Sequence, residues 1–397
     1  MATDVDHYLR PGTLRFVELP PLSLYVHLPW CLAKCPYCDF NSHAMPRDGA
    51  VPEERTVDAL IADLEASLPL VWGRPVVSVF IGGGTPSLFA PAAIERLLGA
   101  VRARLPLEPG AEITLEANPG TFERDRFRAY RAAGVTRLSL GVQSFDDASL
   151  RALGRVHDGA QARAAATEAA AVFETWNIDL MTGLPAQTEE GAVADTTAAL
   201  AFAPPHVSLY QLTVEPNTVF AKFPPAGLPD ADAQARLLDA AALPLAAAGL
   251  ERYEVSAHAR DGHRSVHNVN YWLFGDYLGI GAGAHGKLSF PHRVVRQVRR
   301  REPQSWLASA LAGDAVSEAV EVERKALPFE FMLNALRLRD GFPLSLFTER
   351  TGLPPGAVGR PLDEAERRGL VERTLEHVRP TPLGFDFLSD LQALFLP

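Results

Sequence analysis

The stretch LSLYVHLPWCLAKCPYCDFN, Leu22 to Asn41, runs from a β-rich apolar segment straight into a loop that holds all three cysteines of the chain. The C-x3-C-x2-C spacing of Cys31, Cys35 and Cys38 puts three thiolates on one tight turn at the end of a predicted strand. Such a set can hold three irons of a cubane and leave the fourth open. Structural zinc is the other reading, and it needs a fourth ligand such as His27, Asp39 or His43. Closed zinc sites usually draw their ligands as two separated pairs, which this sequence lacks.

Working outward, short β-rich runs alternate with segments of helical period. The strand candidates are LSLYVHL (22 to 28), VVSVFIG (76 to 82), EITLEA (112 to 117), RLSLGVQ (137 to 143), NIDLMTG (177 to 183) and HVSLYQLTV (206 to 214). Val57, Leu60, Ile61, Leu64 and Leu68 form an apolar stripe on one helix face, and further helices fit 90 to 104, 123 to 133, 160 to 173 and 189 to 203. Strands without strict polar alternation, each followed by a helix, predict a parallel sheet covered on both faces. Six such units either open flat or curl into a partial barrel.

Residues at the strand ends carry the next signal. Gly82-Gly83-Gly84-Thr85-Pro86 ends the second strand, where bare backbone either makes a tight turn or lets a ligand approach. Glu116 closes the third strand, Gln143 closes the fourth and Asp179 lies in the fifth. Each reads singly as a helix N-cap or a satisfied loop group. Together they would converge on the C-terminal mouth, where parallel α/β folds place their ligands.

Composition bounds the function. A chain of 397 residues with 47% hydrophobic content can bury a large core, and its formal charge of −10 argues against a nucleic-acid partner. Arg299-Arg300-Arg301 is the one dense basic run and reads as a solvated turn or an anion contact. No stretch approaches the ~20 apolar residues of a membrane span. The start, MATDVDHYLRPG, lacks the pattern of a secretory signal. Both point to a cytoplasmic protein.

Three domains are expected. Residues 1–250 form the barrel, and 251–302 form a loop-rich connecting segment with RYEVSAHAR, HNVNYW and GIGAGAHG. Residues 303–397 form helices with a small hairpin, LVERTLEHVRPT, and resemble a winged-helix module. In an acidic chain that module reads as a packing or partner surface rather than a DNA reader.

The cysteine loop resembles the signature of the radical S-adenosylmethionine (SAM) superfamily. Longer stretches, among them SLYVHLPWC, CPYCDFNSH, GGGTPS, EANPG, RLSLGVQSF, LYQLTVEPNT, HNVNYW and GIGAGAH, are similar to its coproporphyrinogen-dehydrogenase-like branch, and within it to the haem chaperones. The likeness spans roughly 22 to 290, and FEFMLNALRLRDG extends it into the C-terminal module. It implies an α/β fold, a partial (β/α)6 TIM-like radical SAM barrel with a helical, winged-helix-like C-terminal domain. It also implies a [4Fe-4S] cluster on Cys31, Cys35 and Cys38, with SAM chelating the open iron through its amino and carboxylate groups. Tyr25, Tyr37, Gly83, Gly84, Thr85, Glu116, Gln143, Arg155 and Asp179 would line the SAM pocket, with Thr213 toward the adenine.

In the haem-binding members, an HNxxYW motif is associated with haem. The resemblance carries that role to His267, Asn268, Tyr271 and Trp272, an imidazole for iron beside flat apolar surface for a porphyrin. The alternative is a core histidine among ordinary aromatics, with His258, His263, His285 and His292 as rival ligands. The implied function is haem binding and transfer to acceptor apoproteins, including respiratory membrane proteins reached by peripheral contact with the inner membrane. The cluster would then serve a structural or regulatory role, such as favouring a homodimer or gating haem release. The rival reading is an oxygen-independent coproporphyrinogen III dehydrogenase. Those relatives carry a further cysteine where Phe40 stands here, and a longer segment ahead of the cluster.

Overall fold

In the computed structural model, residues 5–45, 51–120 and 126–397 are described. Six strands run parallel and adjacent in chain order: β1 (Leu22–Leu28), β2 (Val76–Gly83), β3 (Leu107–Ala117), β4 (Arg137–Gln143), β5 (Thr175–Thr182) and β6 (His206–Gln211). The helices that return the chain are α1 (Glu53–Ser67), α2 (Pro91–Arg104), α3 (Phe127–Ala133), α4 (Gly159–Val172) and α5 (Glu189–Leu200), and α6 (Ala231–Ala247) follows β6. Residues 123–125 of the helix expected over 123 to 133 lie outside the described residues. Asp158 starts α4 with a reciprocal capping box to Gln161, which satisfies two N-terminal amides.

The strands do alternate, contrary to the sequence reading. Leu22, Leu24, Val26 and Leu28 of β1 face the helices and join the main core with Val57, Leu60 and Leu64 of α1. The intervening positions face inward, and the lumen they line is polar: Arg137, Ser139, Asn177, Asp179, His206 and Ser208 all border one cavity. The sheet is parallel and covered by helices on its outer face, while its inner face encloses a polar chamber.

The sheet reaches twelve strands without closing. Beyond β6 lie the antiparallel β7 (Ala257–Ala259) and the short strand Glu251–Arg252. Next to β1 lies the parallel β8 (Asp276–Gly281), followed by the antiparallel β9 (His285–Phe290), β10 (Arg293–Arg299) and β11 (Val316–Glu321). The 251–302 segment is therefore mostly strand and helix, not loop. Its glycine-rich runs show no alternation because β8 is buried on both faces. Between β7 and β8 sits α7 (Val266–Trp272), the HNVNYW motif, and α8 (Pro303–Leu311) follows β10.

α8, expected to open the C-terminal module, packs instead on the main core through Trp306, Leu307 and Ala310. Arg299 is likewise no solvated turn. It is fully buried, its Nε 3.1 Å from the Asp63 carboxylate of α1. A second core gathers Phe331, Phe342, Phe347 and Leu362, and Phe274 and Val294 join it from the sheet side. It belongs to α9 (Leu327–Ala335), α10 (Leu344–Thr351), α11 (Gly359–Arg367) and a small sheet in which β13 (His377–Pro380) pairs with β12 (Val371–Arg373) and with Phe342–Pro343. Helices followed by a three-stranded hairpin sheet are the winged-helix arrangement the sequence suggested. Among the described residues no helix is long and apolar enough to cross a membrane.

Candidate functional site

β1 delivers the cysteine loop to the C-terminal end of the sheet. There Trp30–Cys31 pairs in parallel with His43–Ala44, and the amide of Met45 donates to the Cys31 carbonyl at 2.8 Å. The loop is closed on itself, and all three cysteines border one cavity. Asn41 ties it to the GIGAGAHG turn, donating to the carbonyls of Ala282 (2.9 Å) and Arg301 (2.8 Å). The glycine triplet is what lets this loop seat. A Cβ on Gly83, whose φ is +111°, would lie 2.5 Å from the His27 ring, and one on Gly84 would lie 2.5 Å from the Trp30 carbonyl oxygen. The amides of Gly84 and Thr85 donate to Leu28 and Trp30 carbonyls, and that of Gly83 donates to Glu116 Oε2 at 3.0 Å. With its N–H groups used internally, the segment can offer a ligand's ammonium only acceptors, which is what an ammonium needs.

Each sulfur has a polar neighbour. Thr85 Oγ1 donates to Cys31 Sγ (3.4 Å), Cys38 Sγ lies 3.4 Å from Ser42 Oγ, and Arg155 Nη1 donates to Cys35 Sγ (3.7 Å). Donors around cluster sulfurs tune and stabilise the charged state. Burial pushes the Cys31 thiol pKa up, a shift that bound iron reverses. Among the described residues, no three His, Cys, Asp or Glu side chains converge on a point that one ion could occupy. A cubane takes each thiolate on a different iron, which suits three cysteines spread along one loop. The loop fits the cubane.

The cavity has a volume of about 310 Å³ and is bordered by Tyr37, Gly83, Gly84, Thr85, Glu116, Gln143, Arg155, Asp179, Thr213 and Asn268, all expected from the sequence. Gln143 follows a one-residue slip of β4 against β5, with φ +70°, a left-handed backbone, and it borders the chamber. Arg155 donates to Asn118 Oδ1 (2.7 Å) and the Gly141 carbonyl (2.8 Å), and Asn118 Nδ2 donates to Thr85 Oγ1 (3.0 Å). Asn118 thus links two expected site residues, although only its place in EANPG hinted at it.

Four expected residues are not at the cavity wall. Tyr25 lies deeper, its hydroxyl 2.9 Å from His27 Nδ1. His267 is buried, its Nδ1 3.2 Å from Ser78 Oγ and its ring 4.9 Å from that of Phe80. Tyr271 packs on Tyr277, and the Arg337 guanidinium lies 4.1 Å above the Trp272 ring. α7 plugs the N-terminal end of the barrel: the Glu112 carboxylate accepts from the amides of Val266 and His267, both at 3.2 Å, as an anionic cap on the helix start. Of the rivals, His258 is buried and His292 bonds the Leu14 carbonyl, while His285 is exposed at the turn beside the cluster loop.

Glu116 is the titrating group to watch. Burial, then the neighbouring Asp179 carboxylate, raise its pKa from 4.5 to about 7, against the opposing Gly83 amide. The folded chain therefore holds this proton more tightly than the unfolded one. Its contribution to stability is full below pH 4.5 and is lost as pH rises toward about 7. Buried histidines titrate in the opposite sense, so the comparison with Glu116→Gln isolates the effect. The stability of the variant relative to the parent should rise across this window by about 3 kcal/mol, read from denaturant melts at fixed pH values. A flat difference would place the Glu116 pKa near its ordinary value.

Comparison with known proteins matches residues 25–195 to the radical SAM superfamily and 322–387 to the HemN C-terminal domain. The solved structure of Escherichia coli coproporphyrinogen III oxidase (HemN), a radical SAM enzyme, aligns with a TM-score of 0.80 over 95% of this chain and 90% of that one. At 24% identity this likeness shows the fold. The haem chaperone HemW of Escherichia coli is 47% identical over 96% of this chain and 99% of its own, and that of Haemophilus influenzae is 44% identical over the same shares. A mouse mitochondrial protein, radical S-adenosyl methionine domain-containing protein 1, is 39% identical over 79% of this chain and 73% of its own. Radical SAM membership brings with it a [4Fe-4S] cluster and SAM, the groups that the cysteine loop and the cavity above the polar lumen are built to accept. Identity at this level, over nearly the full length of both chains, places the chain in the HemW family of the radical SAM superfamily.

Proposed function

We propose that this chain binds haem and passes it to acceptor apoproteins, with a SAM-bound [4Fe-4S] cluster on Cys31, Cys35 and Cys38 as a resident group. One observation carries the reading: the likeness to the haem chaperone HemW is continuous, covering 99% of the Escherichia coli protein at 47% identity. Phe40, 61% exposed at the cavity mouth, agrees with it. It puts an apolar ring where the resemblance to the dehydrogenases would call for sulfur. When bound, SAM completes the coordination of the open iron. The chain's own part is to hold the three thiolates, to offer Glu116 and Asp179 to the cationic ligand, and to keep Gln143 and Arg155 fixed around it. The protein acts in the cytoplasm, as a homodimer when the cluster is loaded. It meets respiratory acceptors at the membrane surface, with the C-terminal module as the contacting domain.

His267 cannot meet haem iron while α7 fills the barrel floor, since a porphyrin has no room between Ser78, Phe80 and Tyr25. His267 therefore reaches haem only after α7 swings out, a movement that carries Asn268, Tyr271 and Trp272 with it. A haem titration of the reconstituted protein, followed by the Soret shift, should reach a stoichiometric end point. His267→Ala should weaken it roughly 10-fold, as loss of an iron ligand would. Amide exchange over 266–272 should speed up on haem binding, because the caps on Glu112 are released. Unchanged affinity together with unchanged protection would sink the motif's role and leave His285 as the first ligand to replace. Absence of any Soret end point would end the haem reading.

A further inference from the structure

The lower chamber of the barrel contains donors that the chain leaves unfilled. Arg137 opens β4 and is 2% exposed; it borders the cavity, and its Nε and Nη2 have no hydrogen-bond acceptor. The nearest carboxylate, Glu112 Oε2, stands 3.6 Å from Nε and is already engaged by the start of α7. Beside Arg137 in register on β3 is Thr114, 0% exposed, whose hydroxyl also has no partner. Thr114 shares its strand face with Glu112 and Glu116, the inward side of β3, and lies behind the residues that line the cavity.

The rest of the floor is closed. Asn177 Nδ2 donates to Ser139 Oγ and Asp179 Oδ1, both at 2.8 Å, and Asn177 Oδ1 accepts from Ser208 Oγ at 3.0 Å. His206 lies between Asn177 Oδ1 (2.6 Å) and the Tyr253 hydroxyl (2.9 Å). In a network so fully satisfied, a buried guanidinium and an adjacent hydroxyl left open mark a missing acceptor. A guanidinium fork with one hydroxyl beside it matches a carboxylate, which accepts two parallel bonds from the fork and a third from the hydroxyl.

We propose that Arg137 and Thr114 form a binding subsite for a carboxylate group beneath the SAM position. The donor set limits the ligand: one guanidinium fork and one hydroxyl recognise a single carboxylate group. The occupant is a short-chain monocarboxylic acid or the propionate arm of a tetrapyrrole, not a whole macrocycle. SAM, a net cation, offsets the charge that this group adds near Glu112 and Asp179. The subsite does not rest on haem carriage and stands or falls separately from it.

The test is calorimetric titration of sodium propionate into the anaerobically reconstituted full chain saturated with SAM. Saturable binding is expected. Arg137→Gln should weaken it by roughly 10-fold or more, and the isosteric Thr114→Val by roughly 3-fold. Cluster absorbance and SAM affinity should hold in both variants. Thr114→Val keeps the test decisive should Arg137→Gln fail to fold. Added haem then separates the sources: displacement of propionate identifies a tetrapyrrole arm, and independent binding identifies a free small acid. No saturable heat, or equal binding by parent and Thr114→Val, overturns the subsite. So does a fall in SAM affinity in propionate-free buffer, which would assign the guanidinium to SAM itself.

Discussion

Alanine in place of Cys31, Cys35 or Cys38 is expected to abolish the broad absorbance at the blue end of the visible in anaerobically reconstituted protein, and with it the iron and sulfide content. The three positions are not equivalent in their surroundings. Cys31 is the most buried and takes the Thr85 hydroxyl, Cys38 meets Ser42 and Cys35 meets the Arg155 guanidinium. They are equivalent in consequence, because a cubane with one iron reserved for a small molecule has no spare protein ligand. The loop itself should survive each change. Its shape comes from backbone bonds, Met45 to Cys31 and Thr85 to Trp30, and from the close approach of Gly83 and Gly84. Far-ultraviolet circular dichroism should therefore stay the same while the cluster is lost. Zinc without iron or sulfide in the parent protein would overturn the assignment.

The features most legible in the sequence were those fixed by local chemistry. The cysteine spacing, the glycine triplet and the polar strand ends are readable because each meets its ligand or neighbour within a few residues of a strand terminus. All of the strand-end residues expected at the mouth do border the cavity. The polar lumen was also written in the sequence, as Arg137, Ser139 and then Asn177, Asp179 on alternate positions. Parallel strands are usually apolar on both faces, and this alternation departs from that rule. What could not be read was anything set by distant pairing. Asp276–Gly281 looked like loop, yet its register against Leu22–His27 makes it a seventh parallel strand. HNVNYW reads as a ligand motif, and its burial under Glu112 comes from a contact 155 residues away in the chain.

Arg299 is the sharpest case, because the sequence shows a basic run and the fold shows a buried ion pair. Its guanidinium donates to Asp63 Oδ1 (3.1 Å), Ser67 Oγ (2.8 Å) and Gln297 Oε1 (3.1 Å), while Asp63 Oδ2 accepts from the Gly281 amide and the Trp306 indole, both at 3.1 Å. One carboxylate on α1 therefore anchors β8, β10 and α8, the elements that carry the sheet beyond β1 and hold the Ala282 turn against the cluster loop. Asp63→Ala should cost about 3–5 kcal/mol, since it strands a charge at 0% exposure. Two further donors lose their acceptor with it. Adding Arg299→Met should recover part of the loss by removing the orphaned charge, but the Gly281 amide and Trp306 indole stay unpaired, so the double variant should remain below the parent. Denaturant melts of the four proteins measure the coupling. Equal destabilisation by Asp63→Ala with and without Arg299 would mean that the carboxylate acts through the amide and indole alone. The cluster should report the same event, because a loosened turn frees Asn41 from Ala282 and Arg301 and leaves the loop easier to oxidise. Faster bleaching in air by Asp63→Ala than by the double variant would tie the ion pair to the protection of the site.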